Sequence, residues 1–272
     1  MRGFKFLVKS FFPKWLLRKI RNLYYEIKGR KNERYYIGDA VFCPCCKKKF
    51  SSFINFVITK NNNNERYINT YKNTICPYCF SYPRHRIACY YFEKNMHIVP
   101  KKNILMFGAE RSIKKWFDLN NCNYQTADLF DRSSDLKIDV QNIPFPDKSL
   151  ELIICNHVLE HVHDYKIALQ ELKRVLTKNG LLEITVPTDK NFITVYEGSN
   201  FTKEAERIKH FGQHDHLRIF GYDFEKILKE RGFLVEVVDG SVLPVEIGGI
   251  IGPANYDDNK VYICRNGEKG ED

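Results

Sequence analysis

No apolar run in the chain is long enough to cross a membrane. The N-terminal stretches that come nearest are cut by Lys5, Lys9, Pro13 and Lys14, which leaves neither a span nor the core of a signal peptide. Acidic residues are almost missing from positions 1–36, where only Glu26 and Glu33 offset 11 lysines and arginines. That arm therefore carries +9 of the formal net charge of +10, and the rest of the 272 residues is nearly neutral. Outside the arm there is no stripe of interleaved aromatic and basic residues, which counts against an extended nucleic-acid-binding face. With no signal peptide ahead of them, the nine cysteines are expected as thiols in a reducing cytosol rather than as a secreted disulfide framework.

What is present suffices for one full core with a small appendage, since 43% of the residues are apolar. Asn103-Ile104-Leu105-Met106-Phe107-Gly108 reads as a buried strand turning into a helix. Further strands are expected ending near Asp128, as a short piece near Asp139, at 150–156 and at 181–187. A helix is expected from Asp164 to Leu176, with Ile167, Leu169, Leu172, Val175 and Leu176 on its apolar stripe and Asn179-Gly180 stopping it. The last two strands fall at 233–238 and 260–264. Strands alternating with helices imply a parallel sheet covered on both faces, with ligands bound beyond the carboxyl ends of the strands. Gly108 lets backbone approach a ligand there, and Asp128 is placed to accept hydrogen bonds from the hydroxyls of a ribose.

Ahead of this domain, expected over 96–272, lie the arm and a segment of 37–95 rich in cysteine. In the arm, Phe4, Val8, Phe11, Phe12, Trp15, Leu16, Ile20, Leu23, Tyr24 and Ile27 recur at helical spacing among basic residues, and Pro13 divides a loose first piece from a firmer helix over about 13–28. A basic amphipathic helix with aromatics suits an anionic membrane surface. Packing on its own domain or on a partner subunit is the second reading, and nucleic acid ranks third.

Cys43-Pro44-Cys45-Cys46 and Cys76-Pro77-Tyr78-Cys79 form two Cys-x-x-Cys pairs, enough for one tetrahedral zinc held by Cys43, Cys46, Cys76 and Cys79 with Cys45 spare. Four protein ligands close the metal to substrate, so the expected role is structural. Lys60 to Glu65 reads as a hairpin tip inside this ribbon. Arg84 and Arg86, just beyond the second pair, are candidates to hold a phosphate or carboxylate of a substrate, or else to cap the helix that follows.

Three motifs carry more. They are Asp139-Val140-Gln141-Asn142-Ile143-Pro144-Phe145-Pro146-Asp147, Ile153-Ile154-Cys155-Asn156-His157-Val158-Leu159-Glu160-His161-Val162, and Glu171-Leu172-Lys173-Arg174-Val175-Leu176-Thr177-Lys178-Asn179-Gly180-Leu181-Leu182. With them the chain resembles a class I S-adenosylmethionine-dependent methyltransferase of the type 11 kind over about 100–240; the last matches that family's E-L-x-R-V-L-x-x-G-G-x-L. The resemblance implies a Rossmann-like, seven-stranded, mostly parallel sheet. It implies that Gly108 lies against the methionine part of S-adenosylmethionine, that Asp128 holds the ribose, that Asp139 and Val140 flank the adenine, and that Asn156 and His157 line the reaction centre. Where the family has an acidic residue and Gly-x-Gly, this chain has Met106 and Gly108-Ala109-Glu110, so Glu110 is expected to take over the cofactor's ammonium group. The turn resembles that of a subgroup with Ala-Pro-Glu there, and the segment 244–250 is expected as a loop over the cofactor edge.

Methyl transfer to an alcohol gains from a base. His210-Phe211-Gly212-Gln213-His214-Asp215-His216-Leu217-Arg218 supplies candidates and resembles the subgroup's D-H-x-R-x-(F/Y)-G. His214 or His216 is expected as base, Asp215 as its orienter and Arg218 as a substrate or structural anchor, with a second metal at His210, His214 and His216 as a minor reading. His157-Val158-Leu159-Glu160-His161 also spells an inverted zinc-protease pattern, set aside because it directly follows a strand, with Glu160 and His161 expected to brace the turn. The expected protein is a cytoplasmic methyltransferase, peripheral on the inner membrane face, O-methylating a small-molecule or glycan acceptor. Its rivals are a ribosomal-RNA methyltransferase gripping RNA with ribbon and arm, and a non-catalytic scaffold on the same fold.

Overall fold

The computed structural model describes residues 13–62, 65–189, 191–198, 201–247 and 260–267. Phe4, Val8, Phe11 and Phe12 of the arm, and residues 248–250 of the expected cofactor loop, lie outside them. A helix, α1 (Lys14–Glu33), starts after Pro13 and runs past the expected end at residue 28. Its docking side combines ring contact, Tyr25 against Phe80, with polar pairs. Arg18 pairs with Asp135, Arg21 with Asp131 at 2.9 Å, and Glu26 accepts from Tyr78 and faces Arg111. Ile20, Leu23, Tyr24 and Ile27, at helical spacing, point away from the domain and are each more than half exposed. At these four positions the stripe is turned outward, which does not suit the second reading, packing on its own domain.

The ribbon follows: β1 (Val41–Cys43) pairs with β2 (Lys48–Phe50), and β3 (Ile54–Asn62) with β4 (Glu65–Ile75), both antiparallel. The β3/β4 register closes at Asn62 opposite Glu65, so this is the expected hairpin. After it, α2 (Pro83–Lys94) leads to the main domain. There β5 (Ile104–Phe107), α3 (Arg111–Leu119), β6 (Tyr124–Ala127), β7 (Leu150–Asn156), α4 (Tyr165–Val175), β8 (Leu176–Thr185), a short β9 (Tyr196–Glu197), α5 (Glu204–Phe211), β10 (Arg218–Ile219), α6 (Phe224–Glu230), β11 (Phe233–Asp239) and β12 (Lys260–Asn266) follow in order.

One six-stranded sheet has the order β11-β12-β8-β7-β5-β6. The pairs among β6, β5, β7 and β8 are parallel, while β12 is antiparallel to both neighbours, so five strands run one way in a Rossmann-like, mostly parallel sheet. Seven strands were expected; among the described residues six are formed. The place beyond β6 is held by Leu136, bridged to Ala127 and bonded through Leu136 N–H to Thr126 O, and the expected piece near Asp139 is a bridge to Asn142.

Alternation along the strands divides the core. Ile104, Met106, Leu152, Ile154, Val261 and Ile263 face the cysteines of the ribbon, α2 and α3, and form one buried cluster with them. Leu105, Phe107, Ile153, Cys155, Leu182 and Ile184 face α4 and α6 on the other side. At about 1.5–3 kcal/mol for each fully buried aliphatic side chain, the first cluster joins ribbon and sheet into one folding unit. Two local expectations change. Helix α4, capped at Asp164 by bonds from Lys166 and Ile167 N–H, ends at Val175, because Leu176 turns extended to pair with Leu150; Asn179-Gly180 lie inside β8, within a register shift. Its Ile167 is exposed. Of the segment expected over the cofactor edge, the described residues 244–247 run beside the ribbon, with Ile247 buried in its cluster and its carbonyl accepting from Arg86.

Candidate functional site

The chain passes from β5 outward to β6 and then back across to β7, so the sheet order reverses beside β5. A crevice opens at such a switch point, beyond the carboxyl ends of the strands. Here it is a cavity of about 730 Å³ whose lining includes Gly108, Asp128, Asp139, Val140, His157, His161 and Asp215. The size lies within the usual range for small-molecule sites.

Each wall has a local cause. Gly108 takes φ +55°, a left-handed conformation, and a Cβ there would stand 3.3 Å from the Asn156 carbonyl oxygen and the Val158 side chain. Asp128 closes its own turn, one oxygen accepting from the N–H groups of Phe130 and Asp131 at 2.7 Å each. Its second oxygen is left for another donor. Asp139 likewise accepts from Gln141 N–H, and Val140 is buried beneath it. His157 follows β7 with φ +52° and donates its backbone N–H to Thr185 O.

Several expected site residues do other work. Asn156 does not line the cavity; buried, it donates to Glu183 at 2.8 Å and accepts from Thr185. Glu110 is also absent from the cavity wall, its oxygens facing Arg84 (2.9 Å) and His85 (2.6 Å). That pairing stands where the ammonium-binding role was expected, and it accounts for Arg84 as well. Arg86 is wholly buried, donating to Ile247, Thr74 and Ser81 carbonyls with its guanidinium over Phe53, so it holds the ribbon together. Arg218 is the structural anchor: it donates to the carbonyls of Leu159, Val162 and His163 and to Glu197.

The histidines are rearranged too. His214 is 61% exposed beside Asp215 and does not line the cavity. His210 is tied to Tyr196, so the set His210, His214 and His216 is not brought together. His216 is buried, and burial pushes its imidazole below the ordinary value. It packs edge-on against His161, with ring centroids 4.8 Å apart. His161, expected only to brace a turn, reaches the cavity. The signal for it was the His-x-x-Glu-His spelling, read against a protease scaffold and set aside with it.

The other cluster is the four-cysteine one. Cys43, Cys46, Cys76 and Cys79 are buried with their sulfurs mutually close, Cys43 to Cys79 at 3.6 Å and Cys46 to Cys76 at 3.8 Å. Four thiolates about 2.3 Å from a tetrahedral zinc stand about 3.8 Å apart, so the donor set fits that ion. The two knuckles match: Lys47 N–H bonds Cys43 O, Phe80 N–H bonds Cys76 O, and both residues have positive φ. Cys45, equally buried, stays outside the set.

Residues 116–184 match the family model described as a methyltransferase domain. Demethylmenaquinone methyltransferase of Staphylococcus haemolyticus is 39% identical over 62 residues, 22% of this chain and 26% of that protein. An uncharacterized protein of Methanocaldococcus jannaschii is 36% identical over 55 residues, 20% of this chain and 24% of that protein. The chain thus spans about a quarter of the length of the curated relatives it matches. Among solved structures, 1,6-didemethyltoxoflavin-N1-methyltransferase of Burkholderia thailandensis superposes with a TM-score of 0.43 at 14% identity, covering 68% of this chain and 79% of that one. The segment from α3 to β8, which supplies Asp128, Asp139, Val140, His157 and His161, carries the match to the methyltransferase domain.

Proposed function

We propose that the protein is an S-adenosylmethionine-dependent methyltransferase acting on an oxygen of a small-molecule or glycan acceptor. The observation that carries this is the meeting of Gly108, Asp128, Asp139 and Val140 on one cavity at the switch point, within or beside the matched segment. The free oxygen of Asp128 suits a ribose hydroxyl, the buried Val140 with Asp139 suits an adenine, and the bend at Gly108 clears room for the methionine part. Bound there, the cofactor would supply a methyl group on a positively charged sulfur. The chain's own task is to aim an acceptor oxygen in line with that bond, a task proposed for His157 and His161, which line the same cavity. Calorimetry with S-adenosylmethionine tests the reading. Asp128→Asn keeps one acceptor for its turn and loses the charged one, which should weaken binding by about 10- to 100-fold. Absence of binding by the unaltered protein would remove the proposal.

The four cysteines are proposed to hold a structural zinc, closed to substrate. The outward face of α1 is proposed to meet an anionic lipid surface. Ile20, Leu23, Tyr24 and Ile27 are exposed with Lys28, Arg30 and Lys31 beside them, whereas Glu26 and Glu33 turn inward to Tyr78 and Lys48. Apolar residues flanked by cations, with the acids removed, suit lipid headgroups. Arg21 pairs with Asp131 on the cavity rim, so a surface held by α1 would lie beside the cavity mouth, as a membrane-attached acceptor requires. An RNA acceptor draws less support, since Arg18 and Arg21 are already paired with aspartates. Co-sedimentation with vesicles containing phosphatidylserine should fall sharply for the Leu23→Glu, Ile27→Glu double variant; equal sedimentation would overturn the membrane reading.

A further inference from the structure

Glu160 is a costly side chain to leave as it stands. It is fully buried, and neither carboxylate oxygen accepts a hydrogen bond. The nearest nitrogen is Nδ1 of His157 at 3.2 Å. A buried carboxylate in that condition costs several kcal/mol unless a cation or donor meets it. Two further imidazoles stand around it. His216 is 3% exposed with its Nδ1 unpartnered, and His161 lies between it and the cavity. One ligand atom from each of Glu160, His161 and His216 falls within 4.8 Å of the others.

From this we infer a second metal site, distinct from the cysteine cluster, in which Glu160, His161 and His216 bind a divalent cation at the edge of the cavity. Two imidazoles and a carboxylate suit manganese, iron, cobalt or zinc. Ligand atoms on a shared ion stand about 3–3.5 Å apart, so the three close inward on loading. Three protein ligands leave coordination positions open, the mark of a site that takes substrate or water, in contrast to the closed four-thiolate set. The open side faces the cavity through His161. The ligands come from two segments that are already fastened together: Leu217 N–H bonds the Glu160 carbonyl, and Arg218 ties down Leu159, Val162 and His163.

The inference rests on the methyltransferase reading for its chemistry and names the acceptor class: a molecule offering a hydroxyl, best with a neighbouring oxygen, to the metal. Coordination acidifies that hydroxyl. Its proton passes to the imidazole of His157, which lines the same cavity, the oxygen lone pair forms the new O–CH₃ bond, and the C–S bond of the donor breaks with its electrons on sulfur, leaving a neutral thioether. No exposed base is needed, which agrees with His214 standing off the cavity.

Manganese is the probe, because as a hard ion it leaves the thiolate site alone. Full-length protein with its cysteine site loaded is titrated with Mn²⁺, following loss of the free-ion electron paramagnetic resonance signal. Saturation near one ion per chain is expected. His161→Ala, at a part-exposed position, should weaken it by at least about 100-fold, beyond what loss of a supporting residue gives, with the thermal midpoint and cysteine-bound metal retained. Glu160→Gln serves as the second variant, with the same expected loss. Absence of Mn²⁺ binding by the unaltered protein, or equal binding by His161→Ala, would overturn the site. Calorimetry with S-adenosylmethionine is run beside it: cofactor binding without metal binding sinks this site alone, and metal binding without cofactor binding sinks the methyltransferase reading alone.

Discussion

Arg84 and Glu110 meet at 2.9 Å across the seam between the ribbon and the sheet, and His85 Nε2 stands 2.6 Å from the other carboxylate oxygen. Tyr82 N–H donates to His85 Nδ1, which also lies 2.8 Å from Ser112 Oγ, so the ring is held with Nε2 toward Glu110. Burial works to raise the Glu110 carboxyl, but His85 and the Arg84 charge together hold it well below the usual carboxylate range.

Glu110→Gln should therefore destabilise the fold. A fully buried pair broken from one side costs about 3–5 kcal/mol, and with Glu110 about one-fifth exposed roughly 2 kcal/mol is expected at pH 7. Because the folded-state carboxyl titrates low, this contribution is present in full above about pH 4.5 and is lost as pH falls through the folded value. Urea unfolding at pH 7 and at pH 3.5 should show a gap between the two proteins that narrows at the lower pH. Equal midpoints at pH 7 would show that the seam does not depend on this pair.

The cysteine cluster predicts one zinc per chain by elemental analysis. Cys76→Ser should lose it and lower the thermal midpoint, because binding free energy at a structural site is folding free energy. Cys45→Ser, at an equally buried cysteine outside the set, should keep the metal. The ribbon cysteines share one core with Ile104, Met106 and Leu152, so chelation should loosen the sheet too, visible as a cooperative shift of the whole transition. A chelator without effect on unfolding would argue against a structural ion.

The sheet was legible because its strands are short apolar runs closed by Gly108, Asp128 and Asn156, a local signal. The cysteine spacing was legible for the same reason. The roles of Glu171 and Arg174 were not: this pair holds Ile143 and Phe145 through Ile143 N–H and two carbonyls, so a motif that resembled a functional one is a brace for the loop after Asp139. The pairing of Glu110 was not legible because its partners, Arg84 and His85, come from a segment some 25 residues earlier that the packing of α2 on α3 brings near. His161 and His216 are 55 positions apart and meet only once Arg218 has drawn the two loops together. Sequence spacing reports short-range geometry well; contacts made by folding back across the sheet lie beyond it.

Glu183 predicts an unusual pH dependence. It lies fully buried in β8 with a single bond, from Asn156, and burial pushes its carboxyl up to about 8. Folding then takes up a proton that the unfolded chain has released above about pH 4.5. The sign follows: this residue's contribution declines as pH rises from about 4.5 to about 8 and is level beyond. Glu183→Gln cannot ionise, so its thermal midpoint should change less between pH 6 and pH 8.5 than that of the parent. The slope is the readout, since the new amide leaves a buried NH₂ without an acceptor and shifts both ends equally. Parallel curves would mean that Glu183 stays charged.

Arg218 carries the last prediction, because one planar guanidinium serves four acceptors. It is 3% exposed, bonds three carbonyls of the loop holding Glu160 and His161, and closes an ion pair with Glu197 at 2.7 Å. Lysine offers a point charge on a flexible stem and cannot reach that fan of acceptors, so Arg218→Lys strands at least two buried carbonyls. The expected cost is about 2–6 kcal/mol, at about 1–3 kcal/mol for each buried acceptor left without a partner. Two measurements separate its effects. The unfolding midpoint reports the loss of stability, and hydrogen exchange at residues 159–163 should rise ahead of the rest of the domain, because those carbonyls are released first. If exchange rises uniformly instead, Arg218 supports the fold as a whole and not the loop that carries the two candidate ligands.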